Sequence, residues 1–390
     1  MTTRLYMALD LGTQSIKVAF FDSTGHEVGL ATEEYDLVVT GGDRIECLAE
    51  TYWETSKKAV FRANKARLDH GRSEVVGISL SSQCETFVCL DEDMRPLRPM
   101  INWLDSRSIA EAEELGSKLG LEEIYVRTGQ VECVAMWPAT KLLWLKRHEA
   151  RLYGATRKFA LLEDWFIFRL TGLLVGEYSI YPSSLLLDIQ NLRWWQAALD
   201  ELELDAKQLP ELVRPGTVVG GLAKAAAEEL GLAAGTPVIA GGMDQLLASV
   251  AGGNVHPGVV TELTGTSLTV TASLSEFPAR DQNLPVCLHV VPDLYCIQLV
   301  GQTGGPILHW IRDNCYGEPG SSLGHPTYDA VIDEAARVAA GADGVVILPH
   351  LCGAYYPEFD LMCRGAIVGL DLGHTRAHVV RAALESIGYM

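Results

Sequence analysis

The stretch LDLGTQSIK, from Leu9 to Lys17, decides the fold of this chain, because an altered copy, LTGTSLTV, follows at Leu263–Val270. Each copy joins two β-rich runs through a Gly-Thr turn with small hydroxyl residues beside it. Such a turn exposes backbone N–H groups and a hydroxyl in a concave patch that suits phosphate oxygens. One Gly-Thr hairpin would be weak evidence. Two of them, each opening a lobe, predict a nucleotide held between paired domains.

The composition is that of a large, acidic, folded protein. A chain of 390 residues exceeds the usual size of one hydrophobic core, so two domains are expected. Hydrophobic residues make up 48% of the chain and charged residues 21%. The balance of 31 basic against 50 acidic residues gives a net charge of −19. This charge argues against nucleic acid or an anionic membrane as a partner, since both attract clustered Lys and Arg.

Cysteine usage and the N-terminal pattern both bear on the cellular compartment. The nine cysteines are an odd number, and no two of them have the CxxC spacing. Neither a disulfide framework nor a zinc site is expected, and a reducing compartment follows. The N-terminus has no basic region followed by an apolar run, and no uncharged apolar stretch reaches membrane-spanning length. We therefore expect a cytoplasmic protein.

Around the first Gly-Thr turn, the apolar pattern predicts a run of strands and one helix. Strands are expected on both sides of the turn, and a second turn at 22–25 leads into a third strand. The next predicted elements are a helix over 50–70, a buried strand at 75–80, a polar turn at 81–85 and a strand that ends at Asp91.

Residues 107–235 are predicted to be mostly helical. The tryptophans expected to pack these helices are Trp137, Trp144, Trp165, Trp194 and Trp195. A β segment at 236–240 leads into Gly241–Gln245, and the sequence Gly-Gly-Asn at 252–254 marks the expected junction between lobes. After it the strand–turn–strand pattern restarts. Two domains are therefore predicted, 1–254 with the substrate and the first phosphate turn, and 255–390 with the nucleotide.

Asp10 and Lys17 flank the first phosphate turn. Asp10 is expected at the end of the first strand, where a carboxylate can hold a hydrated Mg²⁺ together with phosphates and waters. Its alternative role is to stabilise the turn. Lys17 can reach a transferred phosphate as a point charge, and its alternative role is that of a solvated lysine at a strand edge.

Asp244 follows two glycines at a strand end and precedes an apolar helical run. One interpretation is a helix N-cap, in which the carboxylate accepts hydrogen bonds from the first turn. The other is a general base that removes the proton of a substrate hydroxyl as it attacks a γ-phosphate. The two interpretations do not exclude each other.

Polar residues that follow the buried strand at 75–80 are candidates for substrate binding. Gln83 and Glu85 can bind sugar hydroxyls, and the alternative is that they are ordinary turn residues. Trp103 and Asp105 offer an apolar surface for a sugar and a polar partner beside it. A third glycine-rich turn, at Gly304-Gly305, precedes a predicted helix and can let a nucleotide approach the backbone closely.

Taken together, these motifs resemble those of the FGGY carbohydrate kinases, and the xylulokinase-like members in particular. The matching segments are Leu9–Lys17, Gly77–Asp91, Pro99–Arg107, Lys141–Glu149, Leu161–Gly172, Gly241–Gln245, Leu263–Ser267, Gly301–Trp310 and Gly344–Leu370. The resemblance implies an α/β chain with the two-lobed, actin-like ATPase fold of the sugar kinase and ribonuclease H-like proteins. It also implies ATP and Mg²⁺ as cofactors.

The resemblance assigns roles to particular residues. Asp244 corresponds to the catalytic base and Asp10 to the carboxylate associated with Mg²⁺. The residues implied to bind the nucleotide are Gly12, Thr13, Gln14, Lys17, Gly265, Thr266 and Gly305. The residues implied to bind the substrate are Gln83, Glu85, Trp103, Asp105, Asp244 and Gln245.

The chain departs from the family pattern at three points. Cys84-Glu85 stands where xylulokinases have Met-His, and Glu85-Thr86 instead resembles glycerol kinase. Gly353–Pro357 replaces the commoner Gly-Glu-Arg-Thr-Pro motif. Family members also extend further at the C-terminus, so the second lobe is expected to be incomplete, with exposed apolar surface and weakened ATP binding.

The predicted function is ATP-dependent phosphorylation of a sugar or polyol hydroxyl, with a ketopentose such as xylulose as the leading substrate. A small-molecule substrate is the expected partner, and a homodimer is compatible with the family. Glycerol or another polyol is an alternative substrate. A non-catalytic sugar- or nucleotide-binding regulator of the same fold is an alternative function. An actin-like or chaperone-type ATPase shares the phosphate hairpins but leaves residues 83–85 and 103–105 unexplained.

Overall fold

A computed structural model describes residues 3–68, 73–265, 267–279, 284–301, 303–316, 326–351, 353–354, 360 and 362–390. The chain divides into two compact units. The first comprises Met1–Val259 and Ser273–Cys296, and the second comprises Val260–Ala272 and Ile297–Met390. None of the helices in the described ranges combines the length and the apolar character needed to cross a bilayer.

The described strands, in chain order, are β1 (Thr3–Leu11), β2 (Ser15–Asp22), β3 (Glu27–Glu34), β4 (Val38–Thr40), β5 (Arg44–Cys47), β6 (Ser73–Ser82), β7 (Phe87–Leu90), β8 (Met100–Ile101), β9 (Lys158–Leu161), β10 (Val175–Glu177), β11 (Leu187–Asp188), β12 (Arg193–Trp194), β13 (Glu211–Val213), β14 (Val218–Gly221), β15 (Pro237–Ile239), β16 (Val260–Thr264), β17 (Leu268–Leu274), β18 (Val286–Leu288), β19 (Tyr295–Gly301), β20 (Val346–Leu348) and β21 (Ala366–Val368). The described α-helices are α1 (Ala49–Leu68), α2 (Ile109–Leu119), α3 (Leu121–Thr128), α4 (Pro138–His148), α5 (Ala150–Ala155), α6 (Leu162–Thr171), α7 (Gln196–Leu202), α8 (Lys224–Leu230), α9 (Asp244–Ala251), α10 (Pro306–Cys315), α11 (Tyr328–Ala335) and α12 (Arg376–Tyr389).

The main sheet of the first unit has the strand order β14-β15-β6-β1-β2-β3. The first Gly-Thr turn joins β1 and β2 as an antiparallel hairpin, as the sequence pattern predicts. Strand β1 runs parallel to β6, and β6 runs parallel to β15. Since the carboxyl ends of parallel strands meet at one edge of a sheet, the residues that follow these three strands come together there. Of the predicted site residues of the first unit, this edge carries Asp10, Gln83, Glu85 and Asp244.

Helix α1 covers one face of this sheet, as the prediction of a helix over 50–70 implies. Its Tyr52 and Trp53 are fully buried in the core that includes Phe20 of β2. The helix lies so close to β3 that a Cβ at Gly29 would be 2.7 Å from the Ala63 carbonyl oxygen. Close packing of this kind fixes the sheet rigidly beneath the site.

A second core of the first unit surrounds the five-stranded sheet β4-β5-β8-β7-β9. Here the prediction of a mostly helical region over 107–235 is only partly correct. Helices α2–α8 are present, but short strands β9–β14 and 3₁₀ turns interrupt them. Trp144, Trp165 and Trp195 are buried as expected, whereas Trp194 belongs to strand β12. Strands of two or three residues leave too few alternations for a period to be recognised in the sequence.

In the second unit, the restarted pattern also forms an antiparallel hairpin, in which Thr264 of β16 pairs with Leu268 of β17. A separate core packs α10, α11 and α12 around strand β20. Its fully buried residues include Ile311, Val331 and Val380. Helix α12 ends at Tyr389, with Met390 as its C-cap residue.

Candidate functional site

Asp10 lies at the edge of the main sheet where β1 ends. Its carboxylate accepts a hydrogen bond from the Ser81 hydroxyl at 2.8 Å and forms an ion pair with Lys17 at 3.4 Å. Lys17 is the residue directly opposite on β2, and Ser81 is opposite on β6. The side chain of Asp10 keeps 31% exposure, so its carboxylate remains accessible to a ligand.

Asp244 is the first residue of α9 and is half-buried. The N-cap position belongs to Met243, so Asp244 sits one residue inside the helix, where it accepts the Gln245 N–H at 2.7 Å. Burial raises the pKa of Asp244 to about 7, and the negative charge of Asp10 raises it further while Lys17 opposes this. A carboxylate with a pKa near neutrality is well suited to accept a proton from a hydroxyl.

Glu85 lies on the same edge in the polar turn after β6. Its backbone has a positive φ of 61°, a conformation that costs a non-glycine residue about 1–3 kcal/mol and that tends to occur at functional sites. The Ser183 hydroxyl donates to its carboxylate. Burial raises the pKa of Glu85 to about 7, with a further contribution from the charge of Asp244. The two carboxyl groups therefore share one electrostatic environment.

Gln83 is buried, and its amide bonds within the protein. Its Nε2 donates to the Gly12 carbonyl at 3.1 Å and to the Tyr52 hydroxyl at 3.2 Å, while its Oε1 accepts from Thr86 at 3.1 Å. These contacts tie the phosphate turn to the substrate turn. The carbonyl of Gly12 also accepts the Tyr35 hydroxyl at 2.6 Å.

Thr13 and Trp103 meet at the mouth of the first turn. The indole Nε1 of Trp103 donates to the Thr13 hydroxyl at 2.8 Å, and the ring is half-buried. Gln14 lies exposed in the same turn, where its carbonyl accepts the Tyr35 N–H at 3.1 Å. Gln245 lies in the first turn of α9 and is partly exposed.

Asp105 is completely buried, and both of its oxygens are bonded within the protein. It accepts the Ile45 N–H at 2.7 Å and forms a two-pronged ion pair with Arg107 at 2.9 and 2.7 Å. This geometry makes Asp105 a support for the loop that carries Trp103. Whether any of these side chains contacts a substrate remains a prediction.

In the second unit, the predicted residues Gly265 and Gly305 lie side by side. The Gly305 N–H donates to the Gly265 carbonyl at 2.8 Å. A Cβ at the neighbouring Gly304 would be 2.8 Å from that same oxygen, so this turn requires glycine. Gly265 and Gly305 line a cavity of about 470 Å³ together with Pro306, Leu308, His309 and Tyr328. Thr266 and residues 355–357 of the altered motif lie outside the described residues.

Three contributors to the site were not among the residues that the sequence predicted. Ser81 and Ser183 hold the carboxylates of Asp10 and Glu85. Lys141 is fully buried and donates to the carbonyl oxygens of Asn102 and Trp103, at 2.8 and 3.2 Å. Burial lowers the pKa of Lys141 to about 7. The sequence held one clue to Lys141, which directly precedes the apolar residues Leu142–Leu145 in a region predicted to be helical. A lysine is rarely fully buried unless it is paired, so a buried one needs polar partners.

Replacing Gly241 by Ala tests how tightly the turn before Asp244 is held. A Cβ there would be 1.5 Å from the Leu80 carbonyl oxygen, so the backbone must move. We expect a loss of at least about 3 kcal/mol in the free energy of unfolding, measured by chemical denaturation. The matched control is Gly154→Ala in α5, where a Cβ meets nothing within 4 Å. Its stability should stay within about 1 kcal/mol of wild type, because Ala favours a helix. Equal effects of the two substitutions would contradict the prediction.

Comparison with known proteins places this arrangement in a family. Residues 5–251 match the model of the N-terminal domain of the FGGY family of carbohydrate kinases. A xylulose kinase from Lactococcus lactis is 27% identical over 385 residues, which cover 98% of this chain and 74% of that protein. A gluconokinase from Bacillus subtilis is 26% identical over 393 residues, which cover 99% of this chain and 75% of that protein.

Solved structures agree with the sequence relatives. The crystal structure of a xylulose kinase from Rhodospirillum rubrum superposes with a TM-score of 0.88 at 26% identity, covering 98% of this chain and 76% of that one. The fold is therefore the α/β, actin-like ATPase fold of the sugar kinases, as the resemblance implied. The chain belongs to the FGGY family of carbohydrate kinases.

Proposed function

We propose that this protein transfers the γ-phosphoryl group of ATP to a hydroxyl of a sugar or polyol, with a ketopentose such as xylulose as its best substrate. The observation that carries the proposal is the convergence of Asp10, Glu85 and Asp244 at the carboxyl edge of the main sheet. The relatives named xylulose kinase support the choice of a ketopentose. We also propose the lobe boundaries 1–254 and 255–390 for the substrate and nucleotide halves, and a cytoplasmic location.

In the proposed reaction, Asp244 acts as the general base. Its carboxylate takes the proton of the substrate hydroxyl while the hydroxyl oxygen forms a bond to the γ-phosphorus. The bond from that phosphorus to the bridging oxygen breaks, and ADP leaves with the electron pair. Since the pKa of Asp244 is about 7, the carboxylate is present in its basic form at and above neutral pH.

The donors around Asp10 fit a hydrated Mg²⁺. The carboxylate is partly exposed and is fixed by Ser81, and Mg²⁺ needs only one or two carboxylates besides phosphates and waters. When bound, Mg²⁺ would neutralise charge on the phosphates. Lys17 and the backbone N–H groups of Thr13 and Gln14 would contact the transferred group, because the Gly12 N–H already donates to the Ser15 carbonyl at 3.1 Å.

The cavity of the second unit supports nucleotide binding there. Gly265, Gly305 and Tyr328 are among the residues that line it. The Arg312 guanidinium lies 4.5 Å from the centre of the Tyr328 ring and holds it in place. An aromatic ring can contact the flat face of a nucleotide base, and glycines let its polar groups approach the backbone closely.

We expect Glu85→Gln to raise KM for the sugar about 10-fold or more, because a hydrogen bond to a carboxylate is lost. In the wild type, KM should fall as pH rises through about 7, where the Glu85 carboxylate forms, and this dependence should vanish in the variant. Steady-state kinetics between pH 6 and 8 measures both effects. Glu229→Gln on α8, which bonds Trp53 and Lys57, is the control and should leave KM unchanged. An unaltered KM in Glu85→Gln would remove Glu85 from the substrate site.

A coupled ADP-release assay with xylulose, gluconate and glycerol tests the proposed function directly. The carboxylates of Glu85 and Asp244 should repel the carboxylate of gluconate, so the neutral ketopentose should be preferred. Calorimetry with ATP and the same compounds gives binding independently of turnover. Binding of a sugar and ATP without ADP release would instead support a non-catalytic regulator of the same fold.

A further inference from the structure

Three buried carboxyl groups lie behind the turn that carries Asp244. Glu163 and Asp164 belong to α6, and Glu177 ends β10; all three residues are completely buried. In the part of the chain that the structure describes, none of them forms an ion pair with Lys, Arg or His. Buried carboxylates are normally paired with a cation, so this arrangement requires an explanation.

Two of these groups hold the turn through its backbone. The Gly241 N–H donates to Glu163 Oε1 at 2.9 Å. The Met243 N–H donates to the Ser179 hydroxyl oxygen at 3.1 Å, and that hydroxyl donates to Glu177 Oε2 at 2.5 Å. Both N–H groups that flank Gly242 therefore end on a buried glutamate, one directly and one through Ser179.

Close contacts around Gly242 leave the turn little room to move. The Gly242 carbonyl accepts the Ser82 N–H at 3.1 Å. A Cβ at Gly242 would be 2.5 Å from a methyl carbon of Val290 and 2.9 Å from the Ser179 hydroxyl oxygen. Any shift of the carboxyl groups is therefore transmitted to the turn and to Asp244.

Burial and mutual repulsion both disfavour the charged forms of these carboxyl groups. Glu163 Oε2 and Asp164 Oδ1 are buried, and no described residue forms a hydrogen bond with either atom. Burial raises the pKa of Glu163 well above its usual range, and the charge of Glu177 adds to this effect. Burial also raises the pKa of Glu177 to about 8 and that of Asp164 to about 7. Two charged glutamates in one buried space repel each other, so the pair keeps a proton at neutral pH.

We propose that Glu163 and Glu177 are positioning residues that together hold the Gly241–Met243 turn, and with it the proposed base Asp244, while the pair retains one proton at neutral pH. Only the expected effect on turnover rests on the proposed function; the expected effect on stability does not. Loss of the proton would place two negative charges behind the turn and loosen it. The other titratable groups that face the pair are Asp164, Tyr181 and Cys84, and none of them supplies a positive charge.

The sign of the pH effect follows from the raised pKa values. A group whose pKa is higher in the folded state stabilises the fold at low pH, and that contribution is lost as pH rises through the folded pKa. The thermal midpoint of the wild type should therefore fall as pH rises from about 5 to beyond 8, in line with the pKa of about 8 for Glu177. For Glu163→Gln and Glu177→Gln this slope should become shallower, because an amide has no proton to lose.

Turnover provides the second readout. Wild-type kcat should rise through pH 7 as Asp244 ionises and decline above about 8 as the pair loses its proton. In Glu163→Gln the decline should move to higher pH with KM unchanged. Glu163→Leu, which cannot accept the Gly241 N–H, should lower kcat about 100-fold, the usual cost of a small misplacement of a reacting group.

The control is Glu111→Gln in α2, a buried glutamate that pairs with Arg147 and His148 and does not touch the turn. Its kcat profile above pH 8 should match that of the wild type. Two results would overturn the proposal: an unchanged stability slope in both Gln variants, or an equal loss of kcat at every pH with no shift of the profile. If no sugar is phosphorylated, the proposed function fails, while the stability slope still decides whether the pair shares a proton.

Discussion

An Asp244→Asn variant is expected to fold normally and to lose kcat by a factor of about 10²–10⁴, the usual contribution of a general base. The amide cannot take the proton of the substrate hydroxyl. Its oxygen can still accept the Gln245 N–H that the carboxylate bonds at 2.7 Å, so the start of α9 stays intact. Steady-state kinetics at saturating sugar and ATP separates this loss in kcat from any change in KM.

The same variant should be at least as stable as the wild type at neutral pH. Asp244 is desolvated beside Asp10, and both effects disfavour its charged form. Removing that charge relieves the repulsion, and a catalytic group is often held at some cost in stability. Thermal unfolding without ligands measures this.

Asp91→Asn is a matched control for the loss of a turn carboxylate. The Asp91 side chain accepts the N–H groups of Asp93 and Arg95 at 2.9 and 2.8 Å, and Asn can form the same bonds. Its kcat should equal that of the wild type. A correctly folded Asp244→Asn protein with near-normal turnover would exclude Asp244 as the base.

The sequence was sufficient for the elements that surround the main site. Alternating burial along β1 and the Gly-Thr turn predict the first hairpin, and helix α1 and strand β6 follow where expected. Once β1, β6 and β15 are recognised as strands, a parallel sheet brings their ends together. The proximity of Asp10 to Asp244 is thus a consequence of topology.

The use of each polar side chain could not be predicted in the same way. Gln83 and Asp105 are residues of the kind that bind substrates. In the structure, however, the Gln83 side chain forms a hydrogen bond with Gly12, and the Asp105 side chain forms one with Arg107. The type of a residue determines which hydrogen bonds its side chain can form. The direction in which that side chain points and how deeply it is buried depend on tertiary packing. Glu163 and Glu177 illustrate the converse, since acidic residues close to apolar runs were the one sign of a buried carboxyl pair.

Asp105→Ala is expected to be the most destabilising polar substitution considered, with a loss of about 3–5 kcal/mol. It leaves the Ile45 N–H without its acceptor and removes two bonds from Arg107, whose side chain is 2% exposed. Glu46 still pairs with Arg107 at 2.5 Å but compensates only part of the charge. Urea unfolding followed by tryptophan fluorescence measures the loss, since Trp144 lies 5.0 Å from the Arg107 guanidinium.

Asp93→Ala is the control for the loss of an ion pair as such. Asp93 and Arg95 are 61% and 76% exposed, so their pair should contribute less than about 1 kcal/mol. A double variant, Asp105→Leu with Arg107→Met, separates the two sources of the larger loss. If the cost arises from an unpaired buried charge, removing both charges should recover much of the stability that Asp105→Ala loses. A double variant as unstable as the sum of its single substitutions would instead show that the hydrogen bonds to Ile45 and Glu46 hold the loop of Trp103.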